Sequence, residues 1–172
     1  MSLTHKMHDF TGVETICRKS VTTVRLKIHR DYLGSPDIEL ETITKPYDVY
    51  AVLRAIYDTL DDDQEHLILL ILNLAREITG YKLISSGGQE RTLIDSKVLF
   101  RNALLLGASC IIVAHNHPTG KLDPSEYDVE MTVKVVGIGK ALDMEVLDHI
   151  IYTAHGYTSL REVIPAIFED DE

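Results

Sequence analysis

The sequence predicts an α/β domain in which helices cover a mixed sheet, and three observations carry that expectation. Two short apolar runs, LILLIL at 67–72 and CIIVA at 110–114, have the length and composition of buried strands. Other segments place apolar residues at three- and four-residue intervals, as amphipathic helices do. The resulting order is helix, two strands, helix, strand, helix, strand, which suits a sheet packed beneath helices.

Residues 1–20 mix polar groups with few apolar ones and read as a loose arm. Residues 21–28 (VTTVRLKI) are β-branched and alternate, so they predict a strand. Arg18, Lys19, Arg25, Lys27 and Arg30 make this the most basic stretch, read as a solvated edge strand before a nucleic-acid contact. Residues 32–44 contain Gly34-Ser35-Pro36 and read as a loop. An N-terminal arm with one candidate strand, 1–44, thus precedes a domain over 45–172.

Pro46 suits the first turn of a helix reaching about residue 60, with Val49, Val52, Leu53, Ile56 and Leu60 on one face. Asp61-Asp62-Asp63 ends it as a solvated acidic turn. The strand over 67–72 pairs with one over 77–85 across a turn at 73–76, and Gly87-Gly88 marks a break. Asp95 or Ser96 caps a helix to residue 106, with Val98, Leu99, Ala103 and Leu106 inward and Gly107 at its end. Ser125 starts another helix to about residue 142, with Val129, Val133, Val136 and the stem of Lys140 facing the sheet. Residues 144–152 return as a strand in which Asp148-His149 reads as an ordinary hydrogen-bonded strand-end pair. Residues 155–157 read as a turn, and the acidic tail 168–172 as frayed.

The totals narrow the function classes. With 172 residues, 45% of them hydrophobic, the chain can bury one sizeable core. Twenty-seven acidic residues against 17 basic ones give a net charge of −10, which disfavours a broad phosphate-binding face. Two cysteines, Cys17 and Cys110, make no disulfide scaffold, and Cys110 sits in an apolar run where a thiol packs. No apolar run approaches membrane-spanning length and no leader is visible, so the expected compartment is a reducing cytoplasm, with no membrane partner.

Residues 109–128, SCIIVAHNHPTGKLDPSEYD, concentrate the chemistry. The apolar strand runs into His115-Asn116-His117, and Pro118, Thr119 and Gly120 then break regular structure. In an extended segment residues i and i+2 project to the same side, so His115 and His117 can face one point. Asp128, three places after Ser125 at a helix start, adds a carboxylate. Two imidazoles and one carboxylate suit zinc with a fourth position left for water, although the same set accommodates iron or manganese. A lone H-x-H is a weak signal in a chain with eight histidines, whereas the full string H-x-H-x7-S-x2-D at a strand end and helix start is far more specific.

His115, His117, Ser125 and Asp128 match the JAMM (MPN) metalloprotease motif position for position, and HNHPTG followed by PSEYD resembles the RadC branch of that superfamily. The likeness extends through Val146-Leu147-Asp148-His149-Ile150-Ile151 and covers most of residues 45–160. It implies a deaminase-like, three-layer α/β/α sandwich holding a catalytic Zn2+ at His115, His117 and Asp128. It also implies that Glu65, fifty residues before His115, is the general base, ahead of Glu77 and Glu90. From the residues alone Glu65 is only an acid at a strand entrance. For Ser125 the residues give a helix cap, and the resemblance adds stabilisation of an oxyanion. Asp128, on this reading, cannot fully serve as both reciprocal cap and ligand.

The resemblance implies hydrolysis of a peptide or isopeptide bond in a peptide or protein substrate. Three other readings compete. A zinc nucleobase deaminase lacks its H-x-E and P-C-x-x-C ligands here. A metal-dependent nuclease or DNA-repair factor agrees with the repair label of RadC proteins, but the helix-hairpin-helix of longer RadC chains is absent from this short form. A non-catalytic zinc-containing binding module would keep the site for stability or partner contact. Lys121, in the loop bordering the site, reads as a solvated lysine.

Overall fold

The computed structural model describes residues 42–87 and 95–169 throughout, together with the backbone of three N-terminal strands. The chain divides into two compact units, residues 1–36 and 37–172. The first unit contains β1 (His5–His8), β2 (Glu14–Arg18) and β3 (Val21–Arg25), joined as an antiparallel sheet in sequence order. β3 falls on the strand expected from β-branching. β1 and β2 correct the expectation of a loose arm: antiparallel pairing supplies backbone partners that polar residues alone do not advertise. The remainder of the expected strand and most of the loop over 32–44 lie outside the described residues.

In the second unit, α1 (Pro46–Tyr57) leads into β4 (His66–Leu72) and its hairpin partner β5 (Ile78–Ser86). α2 (Ser96–Leu105) is capped by the Asp95 side chain, which accepts from the Lys97 amide, and connects to β6 (Cys110–Asn116). α3 (Glu126–Ala141) then crosses to β7 (Glu145–Thr153), parallel to β6. The sheet order is β5-β4-β6-β7-β8, in which only the β6–β7 pair is parallel. β8 (Gly156–Ser159) and the short α4 (Leu160–Val163) follow, so of the turn expected over 155–157 only His155 is a turn residue. Phe168, expected in a frayed tail, is buried beneath the Arg161 guanidinium.

Alternation sorts the side chains into two cores, one on each face of the sheet. Ile68, Leu70 and Leu72 of β4 and Ile112 and Ala114 of β6 pack with Val49, Leu53 and Ile56 of α1. Leu67, Leu69, Ile71, Ile111 and Val113 face α2 and α3 through Leu99, Ala103, Met131 and Val135. The result is a three-layer α/β/α arrangement around a five-stranded mixed sheet, as the sequence predicts. Among the described residues no helix is long and apolar enough to cross a membrane.

The inward face of α3 differs from expectation. Asp128, Met131, Thr132, Val135, Val136 and Gly139 are buried, whereas Val133 is 52% exposed. Valines and isoleucine occur all around this helix, so apolar spacing could not set its phase. Packing does: a Cβ on Gly139 would lie 2.6 Å from the Met144 carbonyl oxygen and 2.7 Å from Val146 Cγ2. That close approach at one end keeps the Asp128–Thr132 line facing the sheet at the other.

Candidate metal centre

β4 and β6 are antiparallel, so the start of one lies beside the end of the other. That geometry brings the entrance of β4, where Glu65 precedes His66, next to His115 and Asn116. Glu77, by contrast, stands beyond the far end of β4, bonded to Asn73 at 2.7 Å. Glu90 lies outside the described residues.

His115 and His117 take the odd positions of β6 and its extension, the face covered by α3. Asp128 lies in the first turn of that helix. Their ligand atoms all fall within 4.8 Å of one another. His115 Nε2 is 2.9 Å from His117 Nε2 and 3.2 Å from Asp128 Oδ1, and His117 Nε2 is 3.6 Å from Asp128 Oδ2.

The hydrogen bonds on the outer nitrogens show what these atoms are prepared to do. His117 Nδ1 is 2.8 Å from the Lys121 carbonyl, which can only accept, so Nδ1 carries the proton and the neutral ring presents a bare Nε2. Gly120, at φ +74°, lets the chain turn sharply enough to bring that carbonyl back. A lone pair and an adjacent carboxylate repel unless a cation lies among them, which is the donor chemistry a divalent metal satisfies. Asp128 reflects the same attraction for positive charge. Burial opposes its ionisation, but a proton taken up at Nε2 of His115 or His117 is donated to it, and that hydrogen bonding outweighs burial and holds the carboxyl well below the usual carboxylate range. The bond to Asp128, against burial, raises the pKa of His117.

Ser125 N-caps α3, its Oγ accepting from the Asp128 amide at 3.2 Å while donating to Asp128 Oδ2 at 2.7 Å. The Ser125 amide also donates to Oδ2, at 2.7 Å. The carboxylate shares its contacts between cap and candidate centre, with Oδ2 also lying 3.6 Å from His117 Nε2. Oδ2 closes the capping box, and Oδ1 faces His115.

Three further residues complete the surroundings. Asn116, on the opposite face of β6 from its neighbours, accepts from the His66 amide at 2.6 Å and donates to the Gln64 carbonyl at 2.8 Å. It thus grips the backbone on both sides of Glu65. His149 Nε2 lies 2.8 Å from His115 Nδ1, and its Nδ1 lies 2.6 Å from Thr132 Oγ1. Asp148 and His149 sit within β7, not at a strand end, and their side chains part company. Asp148 accepts from Ser159 Oγ, the His149 amide and the Arg161 amide, while burial raises its pKa. Alternation places Asn116 away from the metal face, and the four-residue step from Asp128 places Thr132 on its line.

A cleft of about 430 Å³ opens over the centre, lined by Glu65, His117, Lys121, Asp123, Glu126 and Asp128 among others. Glu65 and Ser125 therefore border the same space as His117 and Asp128, half-buried and exposed respectively.

The mixed sheet between helices, with a His-His-Asp group at the end of its central strand, defines a JAB-type domain bearing a candidate metal centre. Comparison with known proteins narrows the class: residues 43–164 match the RadC-like JAB domain, and the chain belongs to that family. It is 36% identical over 120 residues to a UPF0758 protein of Rubrobacter xylanophilus, covering 70% of this chain and 52% of that one. Over 142 residues it is 32% identical to a UPF0758 protein of Flavobacterium johnsoniae, covering 82% and 61%. A Chloroflexus aggregans relative is 36% identical over 137 residues, covering 80% and 59%. The chain thus spans roughly half to three fifths of these curated relatives.

Proposed function

We propose that the domain is a zinc-dependent hydrolase of the metallopeptidase or isopeptidase type, acting on a peptide or protein substrate. The observation that carries this reading is the convergence of ligand atoms from His115, His117 and Asp128 within 4.8 Å of one another, beside a cleft lined by His117, Asp128 and Glu65. A zinc ion held by those three residues would supply Lewis acidity toward a carbonyl and a water whose pKa is lowered to about 7.

The remaining chemistry belongs to the chain. Glu65 accepts a proton from the attacking water at its carboxylate and delivers it to the departing amine. Asn116 holds Glu65 through the flanking backbone. Ser125 steadies the outer oxygen of Asp128, and rotation of its hydroxyl toward the cleft would let it donate to the developing oxyanion. Glu65, Asp123 and Glu126 against Lys121 give the cleft walls an acidic balance. Such walls repel a polyphosphate backbone, favouring an amide over a phosphodiester and weighing against the nuclease reading.

The test is digestion of an unbiased peptide library by zinc-reconstituted wild type and Glu65→Gln, read by mass spectrometry. The proposal expects cleavage by the wild type and loss of it in Glu65→Gln with zinc retained. Equal product from both proteins, or none from a zinc-loaded wild type, would leave a binding module as the better reading.

A further inference from the structure

We propose that Thr132 and His149 form a proton-ordering relay that fixes which nitrogen of His115 is bare, making both of them positioning residues for the metal centre. The inference rests on the reading of His115 as a ligand. It extends that reading to a hydroxyl on α3 and an imidazole on β7.

The argument begins with a group that has no choice. Thr132 Oγ1 lies 2.5 Å from the Asp128 carbonyl oxygen, one helical turn back, and a carbonyl only accepts. The Thr132 proton is therefore committed to that bond. The other contact of the hydroxyl, 2.6 Å to His149 Nδ1, must then be one in which the ring donates. His149 is 1% exposed and packed against a second imidazole, so a neutral ring is strongly favoured there. A neutral ring protonated at Nδ1 has a lone pair at Nε2, which lies 2.8 Å from His115 Nδ1. His115 must donate from that nitrogen, and its Nε2 is left bare toward His117 and Asp128.

The sequence of constraints runs from the Asp128 carbonyl through Thr132 and His149 to His115. One ligand residue thereby sets the tautomer of another, through two residues that touch no metal. A carboxylate commonly fills the role His149 takes. Asp148 is adjacent in sequence, yet its carboxylate is turned to Ser159 and the Arg161 amide. An imidazole in this place orients His115 without adding a buried negative charge beside Asp128.

The test has two readings on the full chain. Long-range proton–nitrogen spectra of chelator-treated wild type at pH 9 should show His115 protonated at Nδ1 and bare at Nε2. Zinc affinity, measured by competition with a chromophoric chelator, should weaken about 10- to 100-fold in Thr132→Val and in His149→Phe. Thr132→Ser, which restores the hydroxyl, should recover wild-type affinity. A His115 protonated at Nε2 in the wild type would overturn the relay, as would a folded Thr132→Val that binds zinc like the wild type. If Thr132→Val does not fold, the wild-type tautomer decides. A wild type that binds no zinc overturns the hydrolase reading, whereas the His115 tautomer judges the relay independently.

Discussion

Replacing Asn116 with leucine removes the grip on the Glu65 segment while nearly preserving side-chain volume. Asn116 is buried and makes two short hydrogen bonds, 2.6 Å from the His66 amide and 2.8 Å to the Gln64 carbonyl. Leucine leaves the buried His66 amide and the half-buried Gln64 carbonyl without that partner. Each such orphan costs about 1–3 kcal/mol, and water reaching the Gln64 side reduces the second, so the loss should be about 2–4 kcal/mol. Urea titration of chelator-treated wild type and variant measures it directly, at unchanged slope. His115 and His117 lie on the other face of β6, toward Asp128 of α3, so zinc affinity should stay within about threefold while any hydrolysis drops. A destabilisation under about 0.5 kcal/mol would refute the clamp. A zinc deficit as large as that of a ligand variant would refute the separation of the two faces.

Other expectations follow from the same structure. Glu65→Gln should retain zinc and lose hydrolysis by about 10²- to 10⁴-fold, the usual contribution of a positioned general base. Gly139→Ala should destabilise by about 1–3 kcal/mol, because its Cβ would overlap the Met144 carbonyl and Val146, seen as a lower urea midpoint. Burial depresses the pKa of His149, so its contribution to stability is full above about pH 6.5 and is lost as pH falls toward the folded value. His117, whose pKa is raised, acts in the opposite direction. The comparison is therefore between wild type and His149→Gln without metal, and the wild type should lose about 1.4 kcal/mol more per pH unit below 6.5. Parallel pH profiles for the two proteins would contradict a neutral, buried His149.

Much of this architecture was legible because local signals agreed with the global fold. The apolar runs over 67–72 and 110–114 are central strands, Pro46 opens α1, Asp95 caps α2, and Ser125 caps α3. The His-x-His spacing predicted a shared face, and β6 places both rings there. What stayed hidden depended on packing. β8 has only four residues, too few for alternation to stand out. The phase of α3 is obscured by apolar residues on every side, and the close approach of Gly139 to Met144 and Val146 is a packing contact that apolar spacing does not show. The role of Asn116 depends on the backbone of residues 64 and 66, which lie 52 and 50 residues away in sequence and reach it only through the β4–β6 pairing. The two oxygens of Asp128 differ in ways the sequence does not show: Oδ2 closes the cap and Oδ1 faces His115.

The central claim is that His115, His117 and Asp128 hold one zinc ion. Zinc content and affinity of the full chain, purified without a metal-binding tag, test it directly against His117→Ala, which removes a ligand without touching the α3 cap. The account predicts one tightly bound zinc per wild-type chain, with zinc raising its thermal midpoint, and loss of both in the variant. A folded wild type that takes up no zinc after reconstitution, or a His117→Ala protein that binds it equally well, would contradict the account.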